Sequence, residues 1–481
     1  MLMRTPSLHR GILVAALAAA LAGCALKAPP TTAELQKEAL PQAPPPEAYR
    51  AGGGVAAPVA DGWLAAFEEP ALTALVNEAL AYNADLRVAA ARVEQAAGYV
   101  KVASGALLPS VGLVGLGGGK SGGGGGLEGV FLNASLELDV WGRLRYGRAA
   151  SREQSAAAEA DYAYARQSLA AMVVKAWFLA VQAGMQRVIA QDALTSSETL
   201  LRMADDRLRI GNGSAQAVAQ ARASVGPYRD TVKQVDLARE QARRSLELLL
   251  GRYPAAEIAV ADRLPPMPPP LPVGMPSQLL ERRPDVVAAE RRVAAAFARV
   301  GEAKAAQLPR ISLTAGGSNV SSELIELKDV SSPVWSLGAN LVAPIYQGGA
   351  LRAQVEIRSA EQKQAVADYA RTGQRAFGEV ENALGAEAIL RERDAILAAT
   401  VRDNTESLDL ARVQYRIGNV DLRTVEQSQL SLYAVRTSRL QVQTEQLAQR
   451  TNLFLALGGG FDLPAMAAVA GNASDPLQQK Q

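Results

Sequence analysis

Two stretches of this chain, Leu144–Arg209 and Leu351–Arg416, contain no proline and are 66 residues each (209 − 144 + 1 and 416 − 351 + 1). Both are rich in Ala, Gln, Glu and Arg, the residues that lose least on entering a helix. At ~1.5 Å per residue each would extend roughly 100 Å as one helix. Large apolar residues are sparse in them, which suits helices packed closely over a thin seam and not a thick globular core. Each stretch closes in the same word, Arg209-Ile210-Gly211-Asn212 and Arg416-Ile417-Gly418-Asn419. Glycine there supplies the left-handed residue that ends a helix without a Cβ clash. Ser214 and Asp421 then cap returning helices, expected over Ser214–Leu250 and Asp421–Leu457, that stop at Gly251 and Gly458. Positions 209–214 and 416–421 therefore read as the tips of two helical hairpins. Gly226-Pro227 is expected to kink the first returning helix or split it.

The tips belong to a longer duplication. Asp85/Asp285, Arg92/Arg292, Val93/Val293 and Pro109/Pro309 keep one spacing of 200, and Leu144-Arg145/Leu351-Arg352 and the tip words keep 207. The difference falls in the loops between them, so the chain consists of two copies of one unit. This gives a first repeat at 63–263, a Pro-rich linker at 264–276, a second repeat at 277–458 and a tail at 459–481. Each repeat opens with a helical pattern. In the first, Leu72, Leu75, Val76, Ala79 and Leu80 recur at helical spacing, a break falls at Asn83-Ala84-Asp85, and the pattern resumes over Leu86–Leu107.

After Pro109 the period changes to two. Leu132, Ala134, Leu136, Leu138 and Val140 alternate with Asn133, Ser135, Glu137 and Asp139. In the second repeat Trp335, Leu337, Ala339, Leu341 and Ala343 alternate with Ser336, Gly338 and Asn340. Strands are expected at 109–117, 130–141, 309–317 and 334–345. The pattern matches strands with one face to lipid and one to water, and equally a half-buried soluble hairpin. Gly119-Lys120-Ser121, in the glycine-rich loop Gly117–Gly126, imitates a phosphate-binding loop. Its fingerprint lacks the first glycine, since Val114 stands there, and five glycines follow where a helix must start.

Arg4 and Arg10 precede an apolar run, Gly11–Ala22, too short to span a bilayer, which ends in Leu21-Ala22-Gly23-Cys24. This matches a lipoprotein signal over 1–23 that leaves a lipidated Cys24; the alternative is an ordinary signal peptide with a chance cysteine. Residues 24–62, rich in Pro, Ala and Gly, read as an extended tether. Removal of 1–23 takes away two Arg and the sole histidine, so 48 basic (50 − 2) face 48 acidic side chains. A neutral balance gives no footprint for nucleic acid. Without histidine, and with Cys24 lipidated, every Cys/His metal site and every His-dependent triad is excluded. The expectation is no catalytic residue, no metal and no cofactor beyond the lipid.

Specific words then point to a family. Leu279-Leu280-Glu281-Arg282-Arg283-Pro284-Asp285, Leu138-Asp139-Val140-Trp141-Gly142-Arg143, Pro344-Ile345-Tyr346-Gln347-Gly348-Gly349 and Tyr415-Arg416-Ile417-Gly418, set in this order of elements, resemble the TolC-type outer-membrane efflux factors of the lipoprotein (OprM/NodT-like) branch. The resemblance runs from about Trp63 to Leu457. It implies a mixed α and β fold: a trimeric, twelve-stranded outer-membrane β-barrel continued by a long periplasmic α-helical barrel, with two structural repeats per chain. Physics alone requires several chains, because four strands cannot close a barrel and an open edge in lipid is forbidden; two or three chains satisfy that. The implied function is a passive exit duct, loaded by an inner-membrane pump and a periplasmic adaptor. The alternative is a structural lipoprotein that bridges the outer membrane without transport. By the resemblance the tips dock the adaptor through Arg209, Ile210, Gly211, Asn212, Ser214, Tyr415, Arg416, Ile417, Gly418, Asn419 and Asp421. The family's acidic gate position falls on Gln427, beside Glu426, with Arg423 one turn earlier. Arg423, Glu426 and Gln427 are the gate candidates, a Arg423–Glu426 pair being one reading and a solvated tip surface the other.

Overall fold

The computed structural model describes residues 26–52, 61–116, 128–321 and 334–460. The signal peptide, Cys24, Gly119-Lys120-Ser121 and nearly all of the tail lie outside them. The elements are α1 (Thr32–Ala39), a 3-10 turn (Trp63–Phe67), α2 (Pro70–Tyr82), α3 (Ala84–Gly105), β1 (Ser110–Leu116), β2 (Glu128–Leu138), α4 (Arg143–Arg209), α5 (Ala215–Leu249), α6 (Pro276–Arg282), α7 (Pro284–Ala305), β3 (Arg310–Ser321), β4 (Val334–Val342), α8 (Ala350–Ile417) and α9 (Leu422–Ala456). The chain divides into two compact units. One takes residues up to Pro44, Ala90–Asp161 and Asp285–Thr372; the other takes Pro45–Ala89, Tyr162–Pro284 and the chain from Gly373. Each unit thus draws on both sequence repeats.

The first unit holds a four-stranded sheet in the order β1-β2-β3-β4, every neighbour antiparallel. Directly paired residues project from the same face. One ladder row is Val111, Ala134, Ala315 and Leu337; the next are Leu136, Leu313 and Ala339, then Leu138, Ile311 and Leu341. Rows on the other face read Ser135, Thr314 and Gly338, and Glu137, Ser312 and Asn340. The register therefore gathers the apolar sets of all four strands on one side and the polar sets on the other. On the apolar side the ring of Trp335 lies over Gly317, where a Cβ would stand 2.9 Å from it. Strand β2 ends at Leu138, short of the expected 141, because Gly142 turns the chain at φ +77° and Asp139 serves the helix that follows. The Asp139 carboxylate accepts from the N–H groups of Leu144 (2.9 Å) and Arg145 (3.0 Å), satisfying two free donors of the first turn of α4. Glu137, opposite Ser312, is held by Arg143 at 2.8 Å. Strand β4 ends at Val342, before 345, as Pro344 has no N–H to give a ladder. Strand β3 runs on to Ser321, past the expected 317.

Residues 26–52 are not extended throughout. Thr31 and Glu34 form a capping box for α1, whose Leu35 is buried, as is Leu40 just beyond it. Thr32 donates to Glu290 of α7 at 2.8 Å.

In the second unit the core is aromatic. Trp63 stacks on Phe454 at 5.2 Å between centroids, and Phe67 meets Phe178 at 5.3 Å and Phe454 at 6.1 Å. Leu72, Val76, Leu246 and Leu250 close the cluster. The break expected at 83–85 is a cap: Asn83 accepts from Leu86 N–H at 3.0 Å, so α3 starts at Ala84. Buried Arg450 donates to Glu387 and, at 2.9 Å, to the Pro268 carbonyl, which fixes the Pro-rich linker. Glu247 is buried too. Burial pushes its pKa up, but three backbone N–H donors, from Ala256, Glu257 and Ile258 at 2.7–2.9 Å, together with Arg252, bring it below the usual carboxylate value. Helix α5 runs unbroken through Pro227, so the expected split does not occur.

Candidate functional site: the two helical tips

Both tips close in the same way. Gly211 has φ +78° and Gly418 φ +89°. The N–H of Gly211 reaches the Leu208 carbonyl at 3.1 Å and that of Asn212 reaches Arg207 at 2.9 Å; Gly418 and Asn419 repeat this toward Tyr415 (3.1 Å) and Gln414 (2.9 Å). This paired pattern satisfies the last carbonyls of α4 and α8 and requires a left-handed residue. The returning helices are capped as expected. Ser214 accepts from Ala217 N–H at 3.1 Å, and Asp421 accepts from Thr424 N–H at 3.0 Å and from its hydroxyl at 2.7 Å. Those two bonds from Thr424, hydroxyl first, lower the Asp421 pKa.

The two tips are fastened to each other by a residue that sequence reasoning did not single out. Arg207 donates to the Tyr415 carbonyl of the second tip and, at 3.1 Å, to the Asn212 carbonyl of the first. Its guanidinium carbon lies 4.7 Å from the centre of the Tyr415 ring, a cation–π contact. Tyr415 is buried, and that burial raises its pKa. The position equivalent to Arg207 in the second repeat is Gln414 (207 + 207), so the clasp breaks the symmetry of the duplication. A lone arginine in an arginine-rich helix end carries no one-dimensional signal of this role.

Of the other expected residues, Arg209, Ile210, Asn212, Arg416, Ile417 and Asn419 are exposed around the tips. Arg209 pairs with Asp206 within its own helix. The Arg423–Glu426 pair does not form. Glu426 turns instead to α5, where it accepts from Gln220 at 2.8 Å and Ser224 at 2.6 Å. Arg423 and Gln427 are exposed. Above the tips, α4, α8 and α9 wall a cavity of about 530 Å³. Across it Arg412 donates to Ser196, Ser196 donates to Gln429 (2.8 Å), and buried Gln429 donates to the Ala193 carbonyl (2.8 Å). Among the described residues no cluster of three or more His, Cys, Asp or Glu is placed to hold a metal ion.

The family profile described as "Outer membrane efflux protein" matches the chain over residues 75–252 and 275–459, one stretch per repeat. The chain is 32% identical over 414 residues to "Cation efflux system protein CusC" of Escherichia coli O6:H1, covering 83% of this chain and 88% of the relative. It is 30% identical over 463 residues to "Probable outer membrane lipoprotein SilC" of Salmonella typhimurium, covering 92% and 96%. Among solved structures, the outer-membrane channel OprN superposes with a TM-score of 0.78 at 27% identity, covering 86% of this chain and 97% of that one. These relatives are channel and efflux components, which places the chain in the outer membrane with the fold of the trimeric efflux channels, a helical barrel plus a β domain. The chain belongs to the outer membrane efflux protein family and serves as the outer-membrane exit duct of an efflux system.

Proposed function

We propose that three copies of this chain share one twelve-stranded barrel, and that the tips of their helical hairpins form the periplasmic end of the duct, where a periplasmic adaptor docks and an inner-membrane pump delivers cargo. The observation that carries this is the sheet: one face is apolar across all four strands, and β1 and β4 each have a single partner within the chain. An unpaired edge in hydrocarbon costs several kcal/mol per orphaned group, so neighbouring copies must supply the missing partners. A structural lipoprotein without transport has no need of such a sheet, which disfavours that reading. The duct is passive: the mature chain has no histidine for acid–base work, and the pump supplies the energy. Cargo is chosen by the pump. The Leu21-Ala22-Gly23-Cys24 word and the likeness to a probable lipoprotein along nearly the whole chain support a lipid on Cys24 as a second anchor and as the sole prosthetic group.

The adaptor surface is assigned to Arg209, Ile210, Gly211, Asn212 and Ser214 on one tip and Tyr415, Arg416, Ile417, Gly418, Asn419 and Asp421 on the other. Arg423 and Gln427 stay as candidates for the lining of the closed end, while Glu426 serves the α5–α9 contact. The test is export in cells that carry pump and adaptor. Disruption of the tips should abolish export while an SDS-resistant, heat-modifiable oligomer persists. A monomer that never becomes heat-modifiable would overturn the barrel, and full export with both tips disrupted would overturn the docking role.

A further inference from the structure

Helix α8 is apolar on two opposite faces, and the chain covers one of them. The covered seam repeats every seven residues through Val380, Val401, Leu408 and Tyr415, which pack against other helices of the same unit. Two residues further along, about 200° around the helix, runs a second seven-residue series: Ile389, Ile396, Asp403, Leu410 and Ile417. All five are exposed, Leu410 at 55% and Ile417 and Ile396 at 65%. Val413 at 53% widens the stripe. A helix apolar on both sides is normally enclosed on both sides. The seven-residue period is that of a coiled-coil seam, and a single polar residue within such a seam sets register and partner.

Helix α5 of the same unit has the complementary surface. Its own covered seam is Val218, Val225, Val232 and Leu246. Its outer side near the tip is made of small exposed residues, Ala219, Ala223 and Gly226, and a Cβ built at Gly226 would meet nothing within 4 Å. Large knobs on α8 thus have shallow receiving positions on α5. The charges also match. Glu406 and Asp403 lie 12 and 15 residues above Gly418 (418 − 406, 418 − 403); Arg222 and Arg229 lie 11 and 18 above Gly211 (222 − 211, 229 − 211). Rotational symmetry about an axis along the duct keeps each residue at one height in every copy. The acidic pair on one copy therefore meets the basic pair on the next at a similar level above the tips.

We propose that the outer stripe of α8 in one copy seats on the small-residue side of α5 in the neighbouring copy, with Asp403 and Glu406 against Arg222 and Arg229 fixing which copy pairs and in what register. The tips are then held between copies by this seam and within each copy by Arg207. The proposal rests on several copies sharing one barrel, and the experiment separates the two. Cys24 is the chain's one native cysteine and is blocked by lipid, so Leu410→Cys combined with Ala219→Cys or with Ala223→Cys is read against a clean background. Oxidation of membranes that lack the adaptor should give covalent dimers and trimers from at least one double variant and none from the single variants. Intact SDS-resistant trimer with no covalent ladder from either double variant overturns the seam and leaves the shared barrel standing; so does a ladder that forms only when the adaptor is present. A parent protein that runs as a monomer overturns both. As a second arm, Arg222→Glu and Glu406→Arg should each lower the temperature at which the trimer dissociates, and the double variant should restore it. Additive loss in the double variant overturns the assigned charge contact.

Discussion

Gly418 and Arg207 show how much of the tip depends on single residues. At φ +89° Gly418 is in a region that a β-branched side chain enters only with strain. Gly418→Val should cost roughly 1–3 kcal/mol locally. That is small beside long packed helices, so trimer yield should hold while export falls; loss of the trimer itself would show that the turn is needed for assembly. Arg207→Ala removes the bonds to both tip carbonyls and the ring contact with Tyr415. Arg207 is partly exposed, which reduces the cost to about 1 kcal/mol. The expected signature is faster amide hydrogen exchange confined to the last turns of α4 and α8, with Arg207→Lys intermediate because lysine cannot fork to two carbonyls at once. Unchanged exchange in the alanine variant would remove the clasp.

Among the elements, β3 offers a test of the sheet's two faces at adjacent positions. Ala315 sits in the apolar row with Ala134 and Leu337, and Thr314 in the polar row with Ser135 and Gly338. Ala315→Arg should cost ~2–4 kcal/mol near the bilayer midplane and sharply lower the heat-modifiable band. Thr314→Arg, on the watery face, should assemble. Equal yields of the two would invert or abolish the facing. Helix α5 carries a pH dependence through Glu247. Its folded pKa lies below the usual value, because backbone donors outweigh burial. Its contribution is thus complete above the ordinary carboxylate range and is lost as pH falls through the lowered folded value. Thermal melts between pH 7 and pH 3 should show an acid-side loss of stability that Glu247→Gln largely removes, from a lower starting stability at neutral pH. An identical acid slope in the variant would assign the effect to other carboxylates.

At the scale of the molecule, the two sequence repeats are not the two packing units. Neither 1–263 nor 264–481 contains a complete sheet: the first holds β1 and β2, the second β3 and β4. The aromatic core likewise joins Trp63, Phe67 and Phe178 to Phe454 from the other half. Expressed separately, each half should be protease-sensitive and fail to give a heat-modifiable species, while co-expression of the two, cut in the Pro-rich linker, should restore it. A half that becomes protease-resistant alone would show that one repeat can bury its own core.

The sequence by itself determined the periodic and local features: two long proline-free helices, the tip glycines at 211 and 418, the caps at Ser214 and Asp421, the alternation of β2 and β4, and the duplication with its family words. Each of these is written in residues near one another in the chain, where propensity and backbone sterics act directly. Tertiary structure decided what depends on residues far apart. The register β1-β2-β3-β4, which turns four separate alternations into one apolar face, is a property of pairing between repeats. Glu426 turned from Arg423 to Gln220 and Ser224 because helix packing set a hydroxyl and an amide within 2.8 Å of it. Arg207 became the fastener of both tips because the fold carries Tyr415, 208 positions along the chain, beneath its guanidinium. Spacing along one strand of sequence holds no record of such a meeting, since it arises only once two hairpins lie side by side.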